Sequence, residues 1–180
     1  SKMLRDAVKL LGKYLDDKDA NLRYLSLDTF ARMVYSSHDD VVKGICTKQN
    51  TILVALKDPD ISIRRRALDL LYSMCNGNNA SEIVGELLEY LPLSDFEIRE
   101  ELVLKIAILA EKFASDLSWY VDVMVNLITT SGDFVSKEIW YRVAQIVTNS
   151  DDDQLRKYAA KTIYLNIIDT GAHERIVKLG

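Results

Sequence analysis

The sequence predicts an all-α fold, an α-solenoid in which antiparallel helix pairs stack into a superhelix. Three observations predict it. Breakers are scarce, since 180 residues hold only two prolines and seven glycines, while the strong helix formers Leu, Ala, Lys and Glu are plentiful. No stretch alternates apolar and polar residues between hairpin turns, as a half-buried strand would. One short turn sequence also recurs at nearly constant intervals, the mark of a repeat array.

Helices are expected over 2–15, 20–36, 40–57, 61–75, 80–91, 96–113, 116–130, 134–149 and 153–168, with a tenth starting near 172. The first closes at Asp17-Lys18-Asp19, and the second opens there. The third runs up to Pro59. The fourth opens behind Asp60 and stops at Asn76-Gly77-Asn78-Asn79, where a left-handed residue can end a helix. The fifth ends at Pro92. Ser94 and Glu97 stand three apart as a capping box for the sixth. Gly132 and Gly171 are expected as left-handed stops for the seventh and ninth, and Asp151-Asp152-Asp153 suits the positive N-terminus of the ninth.

The recurring turn is an acidic residue, two spacers, an apolar residue and a basic one. It appears as Asp19-Ala20-Asn21-Leu22-Arg23, Asp60-Ile61-Ser62-Ile63-Arg64, Asp95-Phe96-Glu97-Ile98-Arg99 and, more weakly, Asp133-Phe134-Val135-Ser136-Lys137. The basic residues fall 41, 35 and 38 positions apart, the period of a two-helix HEAT-type repeat, so the fold class is a HEAT/armadillo-like α-solenoid. Asp17 and Asp58 each lie six before an arginine. Asp17, Arg23, Asp58, Arg64, Asp95 and Arg99 are therefore expected as structural residues of the inter-helix turns. The carboxylate would cap the second helix of a repeat, and the guanidinium would reach a neighbouring repeat. Residues 1–180 read as a single segment of about four to five repeats.

Helix faces agree with stacking. Over 61–75, Ile63, Ala67, Leu70, Leu71 and Met74 form one apolar stripe. Ile61, Leu68, Tyr72 and Cys75 form a second, leaving Ser62, Arg65, Arg66, Asp69 and Ser73 as a narrow polar strip. Two stripes mean a helix gripped from both sides, which a solenoid does to its inner helices. Over 116–130, Leu117, Tyr120, Val121, Val123, Met124, Val125, Leu127 and Ile128 wrap most of the circumference.

Composition excludes several functions. Hydrophobic residues at 48% and charged residues at 28% fit a compact chain and not a disordered one. The net charge of −4 argues against nucleic acid as a partner. Cys46 and Cys75 have no CxxC or zinc spacing and read as free thiols in a reducing compartment. No signal peptide is expected. The longest apolar run, Tyr120 to Ile128, is broken by Asp122 and Asn126, well short of the ~18 residues of a membrane span.

Chemical sites are not in evidence. Asp17-Lys18-Asp19-Ala20-Asn21 and Asp58-Pro59-Asp60-Ile61-Ser62 open like calcium loops. The glycine needed at position six is Leu22 or Ile63, and the glutamate at twelve is Asp28 or Asp69. Arg64-Arg65-Arg66 is the densest basic spot. Arg64 is a turn residue, and Arg65 and Arg66 are a solvated face that could make a polar contact with a partner, although Asp58, Asp60 and Asp69 cancel most of their field. His38 and His173 have no metal-ligand neighbours, and no nucleophile stands beside a base. Glu101 and Lys105 form an i,i+4 pair. Trp119, Trp140 and the nine tyrosines read as wedges between helices. No catalytic residue, metal or cofactor is expected.

Longer blocks carry a resemblance. Leu56-Lys57-Asp58-Pro59-Asp60-Ile61-Ser62-Ile63-Arg64-Arg65-Arg66-Ala67-Leu68-Asp69-Leu70-Leu71-Tyr72, Asn21-Leu22-Arg23-Tyr24-Leu25, Ile98-Arg99-Glu100-Glu101, Ala107-Ile108-Leu109-Ala110-Glu111-Lys112-Phe113, Trp119-Tyr120-Val121-Asp122, Trp140-Tyr141-Arg142-Val143 and Tyr158-Ala159-Ala160-Lys161-Thr162 resemble, in order, the large adaptins of clathrin adaptor complexes. The Arg64-Arg65-Arg66 and Trp140-Tyr141-Arg142 blocks favour the alpha type of the plasma-membrane complex. The resemblance implies the later part of the adaptin trunk, a non-catalytic scaffold. Its partners would be a second large adaptin, a medium chain and a small chain, at the inner plasma membrane in clathrin-coated pits. Clathrin and phosphoinositide contacts would belong to other parts of the parent protein, because no residue here matches the family's phosphoinositide cluster or dileucine site. Ser150 to Lys157 is slightly longer than the family pattern. The resemblance also implies a segment cut at Gly180, with exposed apolar surface at that end. A second reading keeps the fold but makes the chain another kind of HEAT scaffold: the large subunit of a different adaptor complex, a phosphatase scaffold or a transport receptor. A third, a helical-repeat DNA-repair enzyme, needs a basic concave surface that an acidic chain does not provide.

Overall fold

A computed structural model describes residues 2–36 and 39–170, and the side chains of these except at 36 and 167–170. Among the described residues all regular structure is helical, in ten α-helices and three single 3₁₀ turns. The expected helix from 172, Gly171, His38, His173 and the end at Gly180 lie outside the described residues. The chain divides into two compact units, Ser1–Cys75 and Asn76–Gly180.

The first unit holds α1 (Lys2–Tyr14), α2 (Ala20–Ser36), α3 (Asp39–Cys46), α4 (Gln49–Val54) and α5 (Ile61–Met74). α1 packs on α2 and α3, and α5 packs on α4 and, most extensively, on α2. Leu27 and Phe30 of α2, Ile45 and Ile52, and Ile63, Ala67, Leu68, Leu70 and Leu71 of α5 are almost completely buried. The two stripes of α5 therefore both find neighbours, while Arg65 on its polar strip is exposed.

One expected helix is two. The run over 40–57 breaks at Thr47-Lys48, then resumes as α4 and a 3₁₀ turn, Ala55–Lys57. The Thr47 hydroxyl donates to the Gly44 carbonyl at 2.7 Å, and the Lys48 N–H turns back to Ile45 O at 2.8 Å. The Thr47 hydroxyl thus occupies the carbonyl that the Lys48 N–H would meet in a continuous helix. Lys48 sits at φ −101°, ψ 7°, and its stem lies over Gly12 of α1, where an added Cβ would stand 2.8 Å from Lys48 Cε.

The second unit holds α6 (Ala80–Tyr90), α7 (Phe96–Phe113), α8 (Leu117–Ser131), α9 (Lys137–Thr148) and α10 (Asp153–Thr170). α7 packs between α6 and α8, and α10 packs on α8 and α9. Ile83, Leu87, Ile98, Leu102, Val103, Ile106, Ala110 and Leu127 form the fully buried centre. α8 is buried nearly all round, from Tyr120 to Ile128, with Asp122 and Asn126 as its exposed breaks and Leu117 left 40% exposed. Gly132 is not the left-handed stop the sequence suggested. It is right-handed, φ −56° and ψ −26°, because the chain runs on directly into the 3₁₀ turn Gly132–Phe134.

Candidate functional site

The recurring turn sets up the most ordered polar chemistry in the molecule. Helices α2, α5, α7 and α9 begin alike. The fourth helical N–H bonds the cap carbonyl, as Arg23 to Asp19 at 3.1 Å, Arg64 to Asp60 at 3.1 Å, Arg99 to Asp95 at 3.1 Å and Trp140 to Ser136 at 3.3 Å. This fixes the register and corrects the weakest motif. Asp133 and Lys137 do not match the other acid–base pairs: Asp133 lies in the 3₁₀ turn, Ser136 is the cap, and Trp140 stands where the other three helices carry arginine. The indole N–H of Trp140 is buried without a hydrogen-bond partner among the described residues.

The carboxylates divide the work differently from expectation. Asp60 is the cap of α5, its side chain accepting from Ser62 N at 2.7 Å, and Asp19 accepts from Asn21 N at 2.8 Å at the start of α2. Asp17 and Asp58, two residues earlier, do not cap the helix. They accept from the Asp19 and Asp60 N–H groups, each at 2.9 Å, and so close the turn. Short side chains bonding the backbone two residues on are the usual device for such turns.

Arg23 reaches both along its own turn and across to the next one. Its Nη1 donates to Asp17 O at 2.8 Å and Lys18 O at 3.1 Å. Its Nε and Nη2 make a fork onto Asp58, at 2.7 Å to Oδ2 and 3.2 Å to Oδ1. The pair is largely covered, with side-chain exposures of 19% and 8%. Burial pushes the Asp58 carboxyl up, but the hydrogen bonds from Arg23 and Asp60 N–H, with the charges of Arg23 and Arg64, outweigh it and hold its pKa below the ordinary value. Arg64 repeats the local half of this arrangement, donating to Asp58 O at 2.5 Å and Pro59 O at 3.0 Å.

In the second unit the same joint is built with other groups. Arg99 donates to Ser94 O at 2.6 Å and Ser94 Oγ at 3.3 Å. Ser94 is not the cap of a capping box: Asp95 is the cap, and the Ser94 hydroxyl donates to Leu91 O at 2.7 Å. The Arg99 guanidinium lies over the Phe134 ring, 5.5 Å from its centroid. Phe134 is two residues before the Ser136 cap, and Asp58 is two before the Asp60 cap. Arg99 thus meets in the next turn the residue equivalent to the one Arg23 meets, through the face of the guanidinium instead of its edge.

Arg66 is engaged within the first unit. It donates to Tyr24 OH at 3.1 Å, stacks over that ring at 5.5 Å and lies 3.4 Å from Asp28 and 3.8 Å from Asp69. Glu101 and Lys105 are 2.8 Å apart. Sequence reading missed three features. Asp152-Asp153-Gln154-Leu155-Arg156 follows the same acid, spacer, apolar, basic pattern and makes the same turn: Asp152 N bonds Ser150 Oγ at 3.2 Å, Gln154 N bonds Asp152 Oδ1 at 2.8 Å, and Arg156 pairs with Asp153. The pattern was there to be found behind the run of aspartates. Tyr158 donates to Asp122, 2.7 and 2.9 Å from its oxygens, and Arg142 forks onto Glu111 Oε1 at 2.8 and 2.6 Å. Both pairs are long-range and leave no local trace in the sequence.

Among the described residues there is no cluster of three or more His, Cys, Asp or Glu placed to hold a metal ion, the two calcium-like openings included, and no helix long and apolar enough to cross a membrane. The arrangement positions helices and presents surface.

Comparison with known proteins gives a consistent set of likenesses. The family described as "Adaptin N terminal region" matches residues 1–179. "AP-2 complex subunit alpha-2" of Dictyostelium discoideum is 51% identical over 178 residues, covering 99% of this chain and 18% of that one. "AP-2 complex subunit alpha-1" of Arabidopsis thaliana is 52% identical over 177 residues, covering 98% and 17%. "AP-1 complex subunit gamma-1" of Arabidopsis thaliana is 32% identical over 173 residues, covering 96% and 19%. The chain spans less than a fifth of the length of these curated relatives.

Proposed function

This chain belongs to the adaptin family, matching its N-terminal region, and from that premise we propose that it is a non-catalytic scaffold segment of the alpha-type large subunit of a clathrin adaptor. The observation that carries the reading is the contrast within one organism, 52% identity to two AP-2 alpha subunits of Arabidopsis thaliana against 32% to its AP-1 gamma-1 subunit, over almost the same residues. The turn geometry supports it, since Arg23 on Asp58 and Arg99 on Phe134 tie one inter-helix turn to the next, and Tyr158 on Asp122 and Arg142 on Glu111 tie one helix to another. In this reading residues 1–180 form one segment of the trunk, of about four to five repeats. Asp17, Arg23, Asp58, Arg64, Asp95 and Arg99 are its joints. Of Arg65 and Arg66, the exposed Arg65 is the one we assign to a polar partner contact.

The segment supports cargo selection and coated-vesicle formation by holding a second large adaptin, a medium chain and a small chain. Clathrin and phosphoinositide are engaged by other parts of the parent protein. The complex works in the cytoplasm, peripheral to the inner plasma membrane in clathrin-coated pits. Affinity purification of the full-length parent from its own cells tests this. Stoichiometric recovery of the three other subunit types is expected. Recovery of a phosphatase catalytic subunit, of transport cargo or of no chain at all would overturn the adaptor reading.

A further inference from the structure

The outward side of α2 and α5, in the first unit, is unevenly charged. The two helices carry five arginines, Arg23, Arg32, Arg64, Arg65 and Arg66, against two aspartates, Asp28 and Asp69, and neither lysine nor glutamate. Arg23 and Arg64 are committed to the turns. Of the rest, Arg32 donates to Asp28 Oδ2 at 2.9 Å, and Arg66 lies 3.4 Å from Asp28 and 3.8 Å from Asp69. These partners are not equally open to water. The Arg32 side chain is 80% exposed and that of Asp28 only 16%. An approaching molecule therefore meets the guanidinium, with the carboxylate beneath it. Arg65 is exposed on the same polar strip of α5 as Arg66. Of the acids at the entrance to α5, Asp58 is covered by Arg23, and Asp60 accepts from Ser62 N.

Two tyrosines lie on this side, each fastened at its hydroxyl. Tyr24 OH accepts from Arg66 at 3.1 Å, and the Tyr35 hydroxyl is hydrogen-bonded to Ser73 Oγ at 2.9 Å. Ser73 is itself tied to Asp69 O at 2.7 Å. Tyr35 is nevertheless 78% exposed, and Leu25, next to Tyr24, is 57% exposed. A bond that holds a ring still while leaving it open to water lowers the ordering cost of a later contact. Three helical turns separate the tyrosines on α2 and two separate their holders on α5, a span of roughly 10–16 Å. An extended chain crosses that span in about three to five residues.

We propose that Tyr24, Tyr35, Arg32, Arg65 and Arg66 form a docking face for an extended acidic segment of a partner protein, its carboxylates on the arginines and its apolar side chains on the two rings. The inference deepens the scaffold reading and rests on it, giving the partner contact of Arg65 its chemistry. A guanidinium takes a carboxylate through a two-pronged edge, so separate arginines read separately placed acids. Three arginines interleaved with two aspartates do not make the broad field of one sign that holds an anionic membrane or a nucleic acid. A second copy of this face would set arginine against arginine, because its Asp28 is covered.

Fluorescence anisotropy with the full-length parent protein tests this with two labelled peptides. One has leucines about four residues apart with glutamates between them, matching the span of the rings, and the other has lysines in place of the glutamates. The glutamate peptide should bind, more weakly as salt is raised, and the lysine peptide should not. An Arg32→Ala, Arg65→Ala double variant, which removes only exposed side chains, should weaken the glutamate peptide roughly tenfold, and so should Tyr35→Ser. Arg142→Ala, at an exposed arginine of the second unit, should change nothing. Vesicles containing phosphatidylserine should bind the parent equally with and without the double substitution. Undiminished peptide binding in either the double variant or Tyr35→Ser, equal binding of both peptides, no binding of either, or loss of vesicle binding in the double variant would overturn the proposal. Because the peptide assay contains no adaptor subunit, its failure is separable from a failure of co-purification.

Discussion

A single guanidinium, that of Arg23, ties the backbone of one turn to the carboxylate of the next, and its removal strands a nearly covered acid. Arg23→Ala should cost about 1.5–3 kcal/mol, the range for a hydrogen bond to a charged group together with the desolvation of the partner left behind. Arg23→Lys should recover little, because an ammonium cannot fork onto Asp58 while also reaching the Asp17 carbonyl. Urea denaturation of both variants measures this, and a lysine variant as stable as the native chain would show that the fork is unimportant. The exposed Arg142–Glu111 pair has short distances too, 2.6 and 2.8 Å, yet is expected to contribute little because water and side-chain entropy compete with it. Distance alone does not rank these two interactions; cover does.

At the scale of the helix, the clearest consequence falls on α6. Gly85 lies inside it with nothing within 4 Å of an added Cβ and a backbone outside the left-handed region. Gly85→Ala should raise stability by about 0.5–1 kcal/mol, read as an upward shift of the thermal midpoint. In α5, by contrast, Leu71 is completely buried, and Leu71→Ala should cost about 2–5 kcal/mol, the span depending on how far α2 closes over the cavity. Which elements were legible follows from the same physics. α5 was readable because its two apolar stripes and its Asp60 cap are local signals. The break in 40–57 was not, since neither proline nor a cluster of turn residues marks Thr47-Lys48, and threonine bonds helical carbonyls inside unbroken α2 and α8 as well. The register of α9 was hidden because Asp133 imitates the acid of the motif while Ser136 does the capping. The Ser94 box failed for a related reason: Asp95, one residue on, is the cap, and the Ser94 hydroxyl is tied into the preceding turn at Leu91 O. The turn residues of the site could be named from spacing, but the partner of Arg99 could not, because nothing in the motif says that Phe134 replaces an aspartate.

For the whole molecule the two compact units carry separate titration signatures. Asp58, in the first, has its pKa held below the unfolded value of about 3.9. Its contribution is therefore full above that pH and is lost as pH falls through the lower folded value. Tyr120, in the second, is pushed up to about 12, by burial first and Glu111 next, against the pull of Arg142. A phenol that holds its proton more tightly when folded adds stability that is complete below its unfolded pKa of about 10 and disappears as pH rises toward the folded one. Thermal midpoints followed against pH should thus form a dome. Asp58→Asn should flatten only its acid side and Tyr120→Phe only its alkaline side. A change on the opposite side in either variant would contradict the assignment.

The matched joints of Arg23 and Arg99 have a consequence for how such a chain can diverge. A guanidinium offers a charged rim and a flat face, and these accept unlike neighbours: the rim takes Asp58, and the face takes Phe134. An acid at that position can be exchanged for an aromatic without the arginine moving to another site. Ionic strength then distinguishes what geometry does not, since added salt weakens an attraction between opposite charges more readily than stacking on a ring. Copies of one repeat can drift until they share almost no partner residues, remain mechanically interchangeable, and still differ in the solution conditions that loosen them.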